Sequence, residues 1–190
     1  MNRAAGYSSK QYFQLVEDGL LDSDEPVELL DGLIVAKSPQ NPRHAATTWR
    51  ISTRLAKLLD GRAIVRSQLP VIAGAFSVPE PDIAVVPIRD DEWQSEHPDV
   101  CMLAVEVADS TLAQDRLTKS RIYAAAGVEN YWIANLRSRQ VEWFADPDPE
   151  PRVYRQRGTA SGSDPLPPTT FGLDLFADEL FAPVTVADAR

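Results

Sequence analysis

CMLAVEVADSTLAQDRLTKSRIYAAAGVENYWI, residues 101–133, is the stretch of sequence that decides the fold. Its first seven residues form an almost unbroken apolar run, which is typical of a strand buried on both faces. Glu106 lies near the end of this run and is the only carboxylate in it. Because burying an unpaired carboxylate costs free energy, we expect Glu106 to contact a cation or a metal ion.

A helix is predicted to follow this strand. Residues 109–111, Asp-Ser-Thr, are candidate N-caps, and Gly127 is the favoured residue just past a helix end. The helix carries Asp115 and Lys119 four residues apart, and residues 129–133 form the next strand. The stretch therefore predicts a strand, a crossover helix and a second strand, with a carboxylate at the strand end and a lysine on the helix.

The remaining pattern predicts an α/β fold with one mixed central sheet flanked by helices. Residues 8–19 indicate a short amphipathic helix, and Asp-Gly at 31–32 between two apolar runs indicates a β-hairpin. A longer helix is predicted over 43–60, and a strand over 82–86. The apolar stripe predicted for the longer helix consists of Ala46, Trp49, Ile51, Leu55, Leu58 and Leu59.

Further β-like runs occupy 63–67 and 69–73, and residues 131–136 and 140–144 are expected to pair as a hairpin. The Pro- and Asp-rich tract 145–151 indicates a solvated loop. No internal repeat or domain boundary is visible, and a length of 190 residues suits one domain over residues 1–190.

Composition excludes several classes of protein. A single cysteine rules out an intrachain disulfide and a Cys-based zinc cluster. No apolar run has the length of a membrane span, and the N-terminus lacks the apolar core of a signal peptide, so we expect a cytoplasmic protein. The net charge of −9 argues against a broad basic surface for nucleic acid, although a local basic patch or a metal-filled acidic site remains compatible with it.

Three carboxylates, Glu28, Asp82 and Glu106, each stand alone among apolar residues. Converging carboxylates bind Mg²⁺ or Mn²⁺, because hard divalent ions prefer oxygen ligands. The alternative for each is an exposed residue or a structural ion pair. That alternative is favoured for Glu28 taken singly, whereas Asp82 and Glu106 together favour a metal site.

Lys119 admits two interpretations. Paired with Asp115 on one helix face, it would form an exposed ion pair worth a few tenths of a kcal/mol. Pointed at the carboxylates, it could position or deprotonate a water, or stabilise charge on a phosphate. His44 and Gln68 are weaker site candidates, and there is no Gly-rich phosphate-binding loop.

These residues resemble the Uma2 family of restriction-type endonucleases, members of the PD-(D/E)xK nuclease superfamily. The resemblance covers most of the chain. It is carried by Val27–Val35, His44, Pro81–Val86, Val105–Thr111, Asp115, Lys119, Tyr123 and Ala126–Ile133.

The resemblance implies a restriction-endonuclease-like fold and a Mg²⁺- or Mn²⁺-dependent endonuclease acting on DNA. Asp82 and Glu106 match the two acids of the motif, and Glu28 matches an additional acid. The usual motif has a lysine two residues after the second acid, where this chain has Ala108. The resemblance assigns that role to Lys119, and it also suggests the backbone carbonyl of Val107 as a metal ligand.

Two alternatives stay open. One is a non-catalytic nuclease-fold protein that binds nucleic acid or another partner, and the other is a hydrolase acting on a different phosphate ester. We also expect that residues 171–181 and the hairpin around Trp143 either form a homodimer face or cap the core of the monomer.

Overall fold

A six-stranded mixed sheet organises the residues that the computed structural model describes, which are 6–167, 169 and 171–182. Residues 1–5 and 183–190, which the single-domain prediction includes, lie outside the described residues. The strands are β1 Val27–Leu30, β2 Leu33–Ala36, β3 Ile64–Ser67, β4 Ile83–Val86, β5 Leu103–Ala108, β6 Asn130–Asn135, β7 Gln140–Asp148 and β8 Val153–Ser161. Helix α1 is Ser9–Glu17, α2 is Pro42–Leu58, and the crossover helix α3 covers 112–125.

The strand order in the large sheet is β3-β4-β5-β6-β7-β8. Strands β5 and β6 are parallel and are joined by α3, whereas the other neighbouring pairs are antiparallel. The predicted α/β fold with a mixed central sheet is therefore confirmed. Because β4 and β5 run in opposite directions, the start of β4 lies beside the end of β5, with Ile83 opposite Val105.

The alternation of side chains along β5 sorts them onto two faces. Val105 and Val107 pack with Ile51 and Leu55 of α2. Ala104 and Ala108 face the side of the sheet that α3 covers. Glu106 lies between them at the alternating position, so its side chain faces the same side. The period of a strand thus directs the one carboxylate of β5 toward the crossover helix.

The N-terminal helix and hairpin form as predicted. Ser8 caps α1, with its side chain accepting a hydrogen bond from the Gln11 backbone N–H. Strands β1 and β2 are joined by Asp31 and Gly32, which have φ of 48° and 85°. Such a turn favours an Asp-Gly pair because both central residues are left-handed.

Helix α2 differs from the prediction in the face that it buries. Thr48, Ile51 and Leu55 are buried, but Trp49 is 69% exposed and Ala46 is also exposed. Successive residues of an α-helix are about 100° apart, so a stripe through 48, 51 and 55 leaves position 49 pointing away from the sheet. The predicted stripe is therefore wrong at Ala46 and Trp49.

Two predictions for the strands are wrong. Residues 69–73 have no strand structure, and β7 continues through Asp148 into the tract predicted to be a loop. Asp146 and Asp148 lie on that extension, where both carboxylates pair with Arg155 of β8. The cross-strand ion pairs help to keep a Pro- and Asp-rich segment extended.

The C-terminal segment caps the core. Its buried residues belong to the same apolar cluster as α2, and they are Leu173, Leu175, Ala177, Leu180 and Phe181. Trp143 is partly buried against this cluster. The alternative that this segment caps the monomer core is therefore confirmed, and a homodimer stays a prediction. Within the described ranges, no helix combines the length and the apolar character that crossing a membrane requires.

The orientation of α2 predicts opposite effects for two of its apolar residues. Ile51→Ala should lower the free energy of unfolding by about 2–5 kcal/mol, because it opens a cavity between α2 and the sheet. Trp49→Ala should change it by less than about 0.5 kcal/mol, since that side chain is mostly in solvent. Urea unfolding followed by circular dichroism measures both, and a larger loss for Trp49→Ala would contradict the observed orientation.

Candidate active site

A cavity of about 530 Å³ opens at the end of the sheet where β4 begins and β5 ends. All four sequence-predicted side chains line it: Glu28, Asp82, Glu106 and Lys119. They come from the first hairpin, the residue before β4, the end of β5 and the crossover helix. None is more than 8% exposed, so the fold removes all four from bulk solvent.

Lys119 lies between two of the carboxylates. Its Nζ is 3.0 Å from Glu106 Oε1 and 3.1 Å from Glu28 Oε2. Asp115 is 2% exposed and Lys119 is 6% exposed, so the exposed-pair interpretation of these two residues is wrong.

The crossover helix turns both charged residues inward through a π-helical turn. The predicted single helix consists of Leu112–Gln114, a π-helical turn Asp115–Lys119 and Ser120–Ala125. Asp115 and Lys119 stand at the two ends of this wide turn and are buried, whereas Leu117 between them is 68% exposed. Single π-helical turns inside α-helices occur often at functional sites.

Asp82 is held by three elements. Its Oδ2 accepts a hydrogen bond of 2.8 Å from the Val107 backbone N–H and lies 3.1 Å from His44 Nε2. Its Oδ1 accepts a bond of 3.4 Å from Gln68, a residue with φ of 55°. The two weaker sequence candidates, His44 and Gln68, therefore both contact a predicted acid.

Tyr123 was missed as a site residue by the sequence reasoning. Its hydroxyl donates a hydrogen bond of 2.8 Å to Glu106 Oε1, the same oxygen that accepts from Lys119. Tyr123 follows Lys119 by four residues, which places the two side chains on one face of the helix. That spacing is the signal that could have identified it.

Electrostatics in the cavity favours bound protons. Burial raises the pKa of Glu106 well above its usual range; Lys119 opposes this shift, and Asp115, Asp82 and Glu28 add to it. Burial also raises the pKa of Asp115 to about 6, against the lowering effect of Lys119. For Lys119, burial alone would lower the pKa, but Glu106, Glu28 and Asp115 raise it above the ordinary value, so the amine is an ammonium.

The donor set fits a hard divalent cation. Four buried carboxylates, Glu28, Asp82, Glu106 and Asp115, line the cavity together with the buried ammonium of Lys119, and this excess of buried negative charge suits a hard divalent cation such as Mg²⁺ or Mn²⁺. Within the described part of the chain, no three His, Cys, Asp or Glu side chains already stand in a metal-holding arrangement. In this structure Lys119 occupies the space between Glu28 and Glu106.

Comparisons with known proteins identify the family through a family model and support the fold through a solved structure. The Uma2 family model, described as "Putative restriction endonuclease", matches residues 9–178. A solved structure titled as a "putative nuclease belonging to DUF820", from Anabaena variabilis, is similar, with a TM-score of 0.74 and 17% sequence identity. The match covers 92% of this chain and 97% of that chain, and at this identity it supports the fold alone. A search of curated proteins found no match.

Removing the ammonium should destabilise the protein strongly. Lys119→Met leaves Glu28 and Glu106 buried without their partner and should cost about 3–5 kcal/mol of unfolding free energy. Adding Glu106→Gln should restore part of that loss, because one of the buried charges is then gone. Chemical denaturation at pH 7 measures the cycle, and a loss below about 1 kcal/mol for Lys119→Met would match an exposed ion pair instead.

Asp115 should make stability fall with rising pH. The pKa of Asp115 is about 6 in the folded state and about 3.8 in the unfolded state. The unfolded chain therefore ionises first, and stability declines between these two values by up to about 3 kcal/mol. Asp115→Asn removes this decline and keeps an oxygen that can accept from Thr111. Chemical unfolding with chelator present measures the free energy of unfolding at pH 4 and pH 7. The variant should become more stable relative to wild type as the pH rises from 4 to 7, and the same stability difference at both pH values would contradict the raised pKa of Asp115.

Proposed function

The chain belongs to the Uma2 restriction-endonuclease family, and from this membership we propose that it is a Mg²⁺- or Mn²⁺-dependent DNA endonuclease that hydrolyses phosphodiester bonds. We also propose that residues 1–190 form one domain that works in the cytoplasm. The observation that carries the proposal is the convergence of Asp82, Glu106, Glu28 and Lys119 in one buried cavity. These residues are separated by up to 91 positions, yet they meet at one sheet edge.

The carboxylates are the proposed metal ligands. Asp82 and Glu106 would hold the ion, with Glu28 as an additional ligand and the carbonyl of Val107 completing the set. A bound divalent ion polarises a phosphoryl oxygen and lowers the pKa of a coordinated water. The chain's own part is to fix the ligands in place. His44 and Gln68 orient Asp82, and Tyr123 orients Glu106.

Lys119 is proposed to act as a charge rather than as a base. The surrounding carboxylates keep its amine protonated, so it is poorly suited to take a proton from water. An ammonium in a buried cavity can donate hydrogen bonds to a phosphoryl oxygen and stabilise the negative charge that develops there. Its bonds to Glu106 and Glu28 hold it in position for this role.

Glu106→Gln tests the metal ligands. The substitution keeps the size of the side chain but removes the charge that a hard cation requires, so Mn²⁺ affinity and DNA cleavage should fall together. Glu17→Gln, an exposed carboxylate on α1, is the matched control and should leave both unchanged. Calorimetric Mn²⁺ titration and cleavage of supercoiled plasmid are the two measurements. Wild-type protein that binds no Mn²⁺ would rule out the proposed nuclease.

Lys119 variants separate electrostatic stabilisation from proton transfer. Lys119→Ala should leave Mn²⁺ bound while cleavage falls by roughly two to four orders of magnitude. Lys119→Arg keeps a positive charge, because arginine does not readily lose its proton. Partial activity is therefore expected if the role of residue 119 is electrostatic.

Lys10→Ala, on the exposed side of α1, is the matched control, and circular dichroism verifies that each variant is folded. Cleavage at the wild-type rate by folded Lys119→Ala, with Glu106→Gln inactive in the same assay, would remove Lys119 from the proposed mechanism.

A non-catalytic nucleic-acid-binding or interaction protein is the second candidate. It is favoured by the ion pairs that join Lys119 to both Glu28 and Glu106, because these pairs satisfy the carboxylates without a metal. Nucleic-acid binding by wild-type protein, with neither Mn²⁺ binding nor cleavage, is the result that would select it.

A further inference from the structure

Helix α2 is a long element of this acidic protein whose charged residues are all basic. Over Pro42–Leu58 it contains four basic residues, Arg43, Arg50, Arg54 and Lys57, and no aspartate or glutamate. The chain as a whole has a net charge of −9. No acid within the helix offsets these basic side chains, and the binding partner that complements such a surface is a polyanion.

The exposed side of α2 borders a groove of about 290 Å³. Five of its lining residues come from α2, namely Trp49, Arg50, Thr53, Arg54 and Lys57, and the sixth is Glu179. Trp49 is 69% exposed, an unusual position for the largest apolar side chain. An aromatic ring set among cations is the combination with which proteins bind unpaired nucleotides, the cations contacting phosphates and the ring stacking on a base.

Glu179 does not cancel the charge of the groove. It pairs with Arg54, and its backbone carbonyl accepts a hydrogen bond of 2.9 Å from Arg50 Nε. These contacts fix the two guanidinium groups at the wall of the groove, and 37% of the Arg54 side chain remains exposed. Glu179 thus orients Arg54 through its carboxylate and Arg50 through its backbone carbonyl, and Lys57 adds a third cation.

The groove and the proposed active site are lined by different faces of the same helix. Asn41 and His44, at the N-terminal end of α2, line the cavity that holds Asp82 and Glu106. From His44 to Lys57 the helix extends about 20 Å, because each residue adds about 1.5 Å. The groove residues therefore lie within about 20 Å of His44 along the helix axis, but on the opposite face of the helix.

We infer that the exposed face of α2 binds a single DNA strand, with Trp49 stacking on an unpaired base and Arg50, Arg54 and Lys57 contacting its phosphates. This inference rests on the proposed nuclease function and adds the form of the substrate, a strand with unpaired bases. Stacking requires an accessible base face, so Trp49 should contribute to binding of single strands and little to binding of intact duplex.

Fluorescence anisotropy with a labelled 20-nucleotide single strand and its duplex, in chelator without metal, tests this inference apart from cleavage. Trp49→Ala should weaken single-strand binding by about 5- to 100-fold and duplex binding much less. Lys57→Ala should weaken both and reduce the slope of log affinity against log salt by about 0.7–0.9. Leu20→Ala, 74% exposed, and Lys10→Ala are controls for apolar and cationic surface and should leave affinity unchanged.

The outcomes separate the two proposals. Single-strand affinity that is unchanged in both α2 variants, or absent in wild type, overturns this inference even if plasmid is cleaved. Loss of affinity in the variants supports it even if no cleavage is found. The alternative is that the α2 face binds a second copy of the chain, and light scattering on the same samples tests it. If the wild type is a dimer, and Trp49→Ala dissociates it without weakening oligonucleotide binding, then the α2 face is a dimer contact.

Discussion

The burial of Lys119 between Glu106 and Glu28 is the interaction on which the rest of the site depends. It joins the crossover helix, the central strand β5 and the N-terminal hairpin through one ammonium. Removing each ion from water costs several kcal/mol, so this arrangement holds only where partners are placed accurately. The π-helical turn supplies that placement, since it directs Asp115 and Lys119 to the same interior.

The same cluster explains why the cavity suits cation chemistry. Its buried carboxylates outnumber the buried ammonium of Lys119, and burial strengthens every interaction among them. Protons or a divalent ion can each relieve that excess. The N-terminal end of helix α2 borders the cavity, whereas Arg50, Arg54 and Lys57 line a groove on the opposite face of the helix, so positive and negative charge occupy separate surfaces. The segregation of charge, rather than the total of −9, is what bears on nucleic-acid binding.

The sequence by itself determined the main strands, the hairpin and the approximate extent of the helices. These features depend on local patterns: an apolar run ending in Glu106, an Asp-Gly turn, and caps at helix ends. The side-chain alternation of β5 also directs Glu106 toward the crossover helix. The family resemblance is visible in the sequence because the motif residues lie on these local elements, and the candidate acids and Lys119 are among them.

Only the tertiary structure decided which of two compatible arrangements each ambiguous residue adopts. Spacing allowed Lys119 an exposed pair with Asp115 or a buried place in the site, and packing of α3 on the sheet selected the second. Periodicity allowed Trp49 into the stripe of α2, but the sheet covers the face of Ile51 and leaves Trp49 in solvent. Contacts such as His44 with Asp82 join residues far apart in the chain. Local sequence carries no record of such contacts, because they form only when separate elements pack together.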